Sequence, residues 1–184
     1  MININTRDGN CKSPWQQIDE GLNVVDQLPQ TADYDCLIIG AGITGLTAAL
    51  LLQTEGKKTI IAEAHSVGFG TTGGTSAHIN TFADATYKDV ESDFGEAEAK
   101  LFAQAVQEGI DLIRENIKSY QIECDYEEKP GYIYSENDDQ TKQLDGIYKS
   151  SLKADVRVVY SQNVPTRLHT NGHCCLTGKH NSIP

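Results

Sequence analysis

Residues 34–46 read Tyr34-Asp35-Cys36-Leu37-Ile38-Ile39-Gly40-Ala41-Gly42-Ile43-Thr44-Gly45-Leu46. An increasingly apolar run ends at Gly40, as a buried strand does. From Ile43 to Thr54, Leu46, Ala49, Leu50 and Gln53 recur at helical spacing, and Gly56 is a C-terminal stop. Lys58-Thr59-Ile60-Ile61-Ala62 is a second β-rich run, closed by Glu63. Strand, glycine turn, helix and strand within about thirty residues make a βαβ unit with parallel strands.

The turn itself, Gly40-Ala41-Gly42-Ile43-Thr44-Gly45, is a G-x-G-x-x-G, and each part has a mechanical job. Gly40 allows the tight exit from the strand. Gly42, having no Cβ, lets a pyrophosphate approach the backbone. Gly45 lets helix and strand pack closely. The first helical turn, with Ile43 and Thr44, offers N–H groups and a positive dipole end to phosphates. Glu63 stands where a carboxylate accepts hydrogen bonds from a ribose diol, with Ala64 beside it, and its charge disfavours a 2′-phosphate and hence NADP. A glycine-rich turn that binds nothing is the competing reading, and the strand, helix and acid around this one weigh against it.

The rest of the chain bounds the answer. It has 184 residues, 15 Lys and Arg against 26 Asp and Glu, a formal charge of −11 and 39% hydrophobic residues. That is a globular chain of one domain, or one and a fraction. The acidic balance argues against nucleic acid, whose binding rests on Lys and Arg neutralising phosphates, and against a membrane surface. Five Cys at irregular spacings make no disulfide framework, and the first thirty residues lack an apolar targeting segment. Cys36 to Leu52 is nearly all apolar, but its glycines and change of period exclude a membrane span. The expected setting is a reducing, cytoplasmic one.

Residues 1–32 form an N-terminal arm without periodicity, in which Trp15, the only Trp, is a hydrophobic anchor. After Glu63 comes a Gly/Thr/Ser-rich loop, His65 to Thr81. Residues 96–120 predict the longest helix, with Phe102, Val106, Ile110, Ile113 and Ile117 on one stripe. Cys124 to Glu128 and Tyr132 to Tyr134 flank Lys129-Pro130-Gly131 and predict a hairpin. A helix over 137–153, with Leu144, Tyr148 and Leu152 four apart, and a strand over Val156 to Tyr160 follow. Tyr132 and Tyr134 read as core aromatics, and Glu127 and Glu128 as a solvated strand end.

The two nucleotide-site runs, together with Gly68-Phe69-Gly70-Thr71-Thr72-Gly73-Gly74-Thr75-Ser76-Ala77-His78, resemble the N-terminus of FAD-dependent oxidoreductases of the D-amino-acid oxidase/glycine oxidase superfamily. Arg7-Asp8-Gly9, Ser13-Pro14-Trp15-Gln16 and the segment from Phe94-Gly95 through Tyr134 are similar to bacterial members with a C-terminal Rieske [2Fe-2S] domain. The resemblance covers roughly residues 7–160. It implies an α/β fold: a Rossmann-like FAD/NAD(P)-binding βαβ domain in its N-terminal part, incomplete, with the start of a substrate domain, over residues 33–160.

It implies FAD as cofactor, with the loop along the flavin, so that Thr72, Thr75 and Ser76 join Gly40, Gly42, Ile43, Thr44, Gly45, Glu63 and Ala64 as cofactor-binding residues. His78 is either near the flavin or a structural histidine; His65 reads as a loop residue near the adenosine. The implied chemistry is hydride transfer to flavin from a C–H beside an amine, the substrate being a small-molecule amine or amino acid. A [2Fe-2S] cluster belongs to full-length relatives and not to this chain. The residues name neither a catalytic residue nor an electron acceptor. Two rivals stand beside this reading: a truncated, non-catalytic dinucleotide-binding fragment, and an NAD domain of another dehydrogenase class, against which the 68–78 loop speaks.

Residues 161–184 break the pattern. They hold none of the 26 acids, but three of the five His and two of the five Cys. His169, His173, Cys174, Cys175 and His180 match neither the Cys-x-His plus Cys-x-x-His of a Rieske centre nor a usual zinc spacing, so no metal site is expected. Leu176 to Pro184 can be encoded so that a shifted frame reads Asn-Trp-Gln-Ala-Gln-Phe-His-Pro, and its last six residues resemble a run in the Rieske-bearing relatives. The segment therefore reads as out of frame, the shift lying between about Tyr160 and Leu176.

Overall fold

A computed structural model describes residues 13–15, 33–82, 84–162 and 174–177. The chain divides into two compact units, Met1–His78 and Ile79–Pro184.

In the first unit, β1 (Cys36–Ile39) and β2 (Thr59–Ala62) pair in parallel, with Cys36 opposite Thr59 and Ile39 opposite Ala62. The register is fixed where the strands begin. Asp35 N–H donates to Lys58 O at 2.9 Å, and Lys58 N–H donates back to Asp35 Oδ2 at 2.8 Å. Helix α1 (Ile43–Thr54) connects the strands, and Gly56, at φ +77°, takes the left-handed turn that ends it.

The strand–helix–strand expectation is met, but its burial is not. β1 exposes alternate residues, Leu37 at 62% and Ile39 at 85%. Of the residues expected on one helix face, Ala49 is buried, while Leu46 and Gln53 are exposed. Apolar residues go round much of α1, and a two-stranded sheet covers one side of it. The loop that follows contains one short helical turn, α2 (Thr71–Gly74), which its Thr-Thr-Gly-Gly sequence does not announce.

In the second unit, α3 (Tyr87–Phe94) runs directly into α4 (Glu96–Ser119). A reciprocal capping box starts α3: Asp89 N–H donates to Thr86 Oγ1 at 3.2 Å, and Thr86 N–H to Asp89 Oδ2 at 3.0 Å. The expected α4 stripe lies inward, with Ile110 buried and Phe102, Val106, Ile113 and Ile117 half-buried. Asn137 caps α5 (Asp138–Lys153), its side chain accepting from Gln140 N–H at 2.9 Å. Phe82, Tyr87, Ala99, Ala103, Leu144, Ala154 and Val158 form the core. Leu144 is buried as expected, but Leu152 is exposed; the inner face of α5 continues through Ile147 and Ser151 instead.

Strands β3 (Gly131–Tyr134), β4 (Val158–Ser161) and β5 (Cys174–Thr177) form an antiparallel sheet in the order β3-β5-β4. The hairpin expectation is thereby corrected: β3 pairs with β5, and residues 124–128 form no strand. Asp125 sits at φ +49°. Tyr126 Oη accepts from Arg114 Nε at 3.2 Å, and Glu128 Oε1 lies 2.7 Å from the same nitrogen, so this segment is tied to α4. Glu127 pairs with Lys129 at 2.6 Å, so the two acids serve ion pairs and not a strand end. Tyr132 and Tyr134 are corrected too. They occupy the exposed face of β3, and Ile133 between them packs on the core. Of the segment read as out of frame, only Ser161, Gln162 and β5 fall among the described residues, as do residues 13–15 of the arm.

Candidate functional site

The glycine turn sits between the end of β1 and the start of α1. Gly40 N–H donates to Ala62 O at 2.8 Å, carrying the parallel pairing one residue past the strands. Gly40 has φ +102°, a conformation L side chains rarely adopt. Gly45 is required by space, and Gly42 is set close against a side chain. A Cβ on Gly45 would stand 2.1 Å from Gly40 O and 3.3 Å from Ile38 Cγ2. One on Gly42 would stand 3.1 Å from Thr72 Oγ1. Helix and strand thus approach at Gly45 to the limit that glycine permits, and at Gly42 a methyl group would crowd the Thr72 hydroxyl.

Glu63, at the end of β2, reaches back to this turn. Its Oε2 accepts from Ala41 N–H at 2.7 Å, and its Oε1 from His65 N–H at 3.0 Å. These backbone donors, Ala41 foremost, hold its carboxyl below the ordinary value of 4.5, so it is ionised at neutral pH. An ionised carboxylate offers about four acceptor sites, more than these backbone donors fill. Ala64 is exposed beside it. The His65 ring stacks against Phe69, with centroids 4.3 Å apart.

Thr72 closes the other side. Its hydroxyl oxygen accepts from Ile43 N–H at 3.0 Å, the first amide of α1. Gly42, the N-cap of α1, contributes no side-chain bond, and Thr44 is exposed in the first turn. One of the amides expected to be free is therefore held by a threonine 29 residues away. Thr75 Oγ1 accepts from Ala77 N–H at 3.2 Å; Ser76 and His78 are exposed. The arm reaches the same loop, Trp15 Nε1–H donating to Thr75 O at 2.8 Å and Ser13 Oγ–H to Gly73 O. The anchoring expected of Trp15 is thus a hydrogen bond, and the ring itself is 44% exposed.

The structure brings Gly40, Gly42, Ile43, Gly45, Glu63 and Thr72 into one bonded cluster, with Thr44 and Ala64 at its rim. Thr75 and Ser76 follow on the loop that Thr72 carries. Sequence reasoning missed the Glu63–Ala41 and Thr72–Ile43 bonds, and nothing in the spacing announces either one. Among the described residues there is no group of three or more His, Cys, Asp or Glu able to hold a metal ion, and no helix long and apolar enough to cross a membrane.

A chain with this parallel pair, this turn and this acid falls in the dinucleotide-binding α/β class. The family model for FAD dependent oxidoreductase (DAO) matches residues 35–174, and the chain belongs to that family. It is 30% identical over 141 residues to the putative Rieske 2Fe-2S iron-sulfur protein YhfW of Bacillus subtilis, covering 77% of this chain and 28% of that protein. It is 33% identical over 121 residues to gamma-glutamylputrescine oxidoreductase of Escherichia coli, covering 65% and 28%. It is 40% identical over 106 residues to the probable oxidoreductase OrdL of Haemophilus influenzae, covering 57% and 24%. The chain thus spans about a quarter of the length of these relatives.

Proposed function

We propose that the first unit holds the adenosine and pyrophosphate part of FAD in an oxidoreductase acting on a small-molecule amine or amino acid. The glycine turn at the N-terminus of α1 carries this reading: Gly45 lies where a Cβ would stand 2.1 Å from Gly40 O, and a Cβ on Gly42 would press on Thr72 Oγ1 at 3.1 Å, so backbone and not side chains faces outward at the helix start. There, Thr44 and Gly45 present the helix start to phosphate oxygens, and Ile43 acts through the Thr72 hydroxyl that its amide holds. Gly40 turns the chain out of β1, and Gly45 lets α1 begin against it. Glu63, keeping acceptor capacity beyond its backbone donors, takes ribose hydroxyls, and its charge turns away a 2′-phosphate. Ala64 borders the adenosine. Thr72 can donate its hydroxyl proton onward while accepting from Ile43, and Thr75 and Ser76 extend the same loop along the cofactor. FAD, when bound, supplies the acceptor for a hydride from the C–H beside the substrate amine.

The relatives named for gamma-glutamylputrescine and for a Rieske iron-sulfur protein support an amine substrate and, in full-length proteins, an iron-sulfur electron path. The expected setting is the cytoplasm. A second reading is that these 184 residues bind the dinucleotide without turning over a substrate. The open face of β1, with Leu37 and Ile39 uncovered, favours it. The proposal of a frame change between about Tyr160 and Leu176 stands beside both, and sequencing of the coding DNA across that interval decides it.

The deciding experiment is an absorbance spectrum of the purified chain mixed with FAD and desalted. Retained bands near ~370 and ~450 nm, the range of a protein-bound oxidised flavin, support cofactor binding, and turnover of amines then separates the two readings. A colourless protein overturns the proposal for this chain.

A further inference from the structure

We propose that Ser13 and Trp15 are positioning residues of the dinucleotide site, strapping α2 so that Thr72 stays on the first amide of α1. The inference rests on the reading of the first unit as an FAD site. It starts from the weakness of α2, a four-residue turn of sequence Thr-Thr-Gly-Gly. A single turn with two glycines has no capacity to persist by itself, because nucleation is unfavourable and glycine is a poor helix former. Its end also leaves carbonyls without intrahelical partners. The arm satisfies two carbonyls at this end: Ser13 Oγ–H donates to Gly73 O and Trp15 Nε1–H to Thr75 O. Pro14 between them fixes one backbone torsion of the strap.

At its other side, the same turn presents Thr72 Oγ1 to Ile43 N–H at 3.0 Å, next to the position a Gly42 side chain would fill. The bonds form one line, from arm to α2 to the helix start that faces the phosphates. The arm lies 60 residues away in sequence from its acceptors, so the strap is a tertiary device and not a local turn. Its consequence is that cofactor affinity depends on two side chains that need not touch the cofactor. A surface anchor alone would hold the arm down and leave Ile43 indifferent to it.

The test uses the 184-residue chain with Trp15→Phe, Ser13→Ala, Thr72→Val and the Trp15→Phe/Thr72→Val double variant. Without FAD, amide hydrogen exchange at Ile43 should quicken by about threefold to tenfold in each of the two arm variants, the range expected for one lost neutral hydrogen bond. Unchanged exchange at Ile43 overturns the strap. With FAD, the dissociation constant read by flavin fluorescence should rise by a similar factor in Trp15→Phe. The double variant should bind no more weakly than Thr72→Val alone, since both changes act through one contact. Fully additive losses overturn the route through Thr72. If Trp15→Phe loses its circular-dichroism signal, Ser13→Ala, which removes one hydroxyl, carries the comparison. A wild-type chain that binds no FAD refutes the cofactor reading and not the strap, which the exchange at Ile43 decides separately.

Discussion

Gly45→Ala puts the close approach of α1 and β1 under direct strain. The added methyl would lie 2.1 Å from Gly40 O, more than 1 Å inside the 3.4 Å at which ordinary contact begins. The obstacle is backbone and cannot swing away. Gly40 is held by its own N–H on Ala62 O at 2.8 Å, and its left-handed torsion leaves little freedom to retreat. The helix must therefore lift from the strand, opening the approach of Gly45 to Ile38. Overpacking of this kind costs ~1–3 kcal/mol, and a fixed backbone neighbour places the cost at about 3 kcal/mol.

Urea unfolding followed by the fluorescence of Trp15, the one tryptophan, places the reporter in the first unit. Gly109→Ala, followed by circular dichroism, supplies the opposite sign: a Cβ there meets nothing within 4 Å inside α4, so the second unit should gain ~0.5–1 kcal/mol. A loss below about 1 kcal/mol in Gly45→Ala would refute the argument that the missing side chain sets the approach of helix to strand.

Acid should loosen the glycine turn. The Glu63 carboxyl is held below its ordinary 4.5 by Ala41 and His65 amides, so its contribution is complete above that value and is lost as pH falls through the lower folded value. The first unit should therefore lose stability below about pH 4.5, and Glu63→Gln should flatten that part of the curve; identical acid profiles for the two proteins would contradict the assignment. In the second unit, Leu144→Ala removes a side chain 2% exposed at the centre of the core and should cost ~3 kcal/mol in thermal or urea unfolding followed by circular dichroism. A change under 1 kcal/mol would show that this cluster does not hold the unit together.

The parts of the fold that rest on short-range constraints were legible. The glycines at 40 and 45 are demanded by backbone geometry within one βαβ unit, and the α4 stripe from Phe102 to Ile117 repeats over about four turns. The misreadings occur where a distant partner decides. Cys124 to Glu128 was matched with the nearest strand, but Arg114 on α4 claims Tyr126 and Glu128, and β3 finds its partner some forty residues onward. α3 carried a readable sign in Thr86 and Asp89, a capping box at the right spacing, but only two turns follow it. At the candidate site, residue types were legible and their mutual bonds were not: no periodicity joins Thr72 to Ile43 or Glu63 to Ala41. β1 has the composition of a buried strand, but among the described residues it pairs with β2 alone, which leaves Leu37 62% and Ile39 85% exposed.

The strand order β3-β5-β4 has a consequence for timing. The middle strand is the last of the three to be made, so β3 and β4 wait for it during synthesis with their ladder groups unpaired. Every pairing in this sheet closes a loop, and the longer one runs from Tyr134 to Cys174. Helices α3, α4 and α5 need no such delay, since their bonds are local. Vectorial synthesis would therefore present a helical platform first, with its sheet completed in a single late step when residues 174–177 dock between two strands already in position.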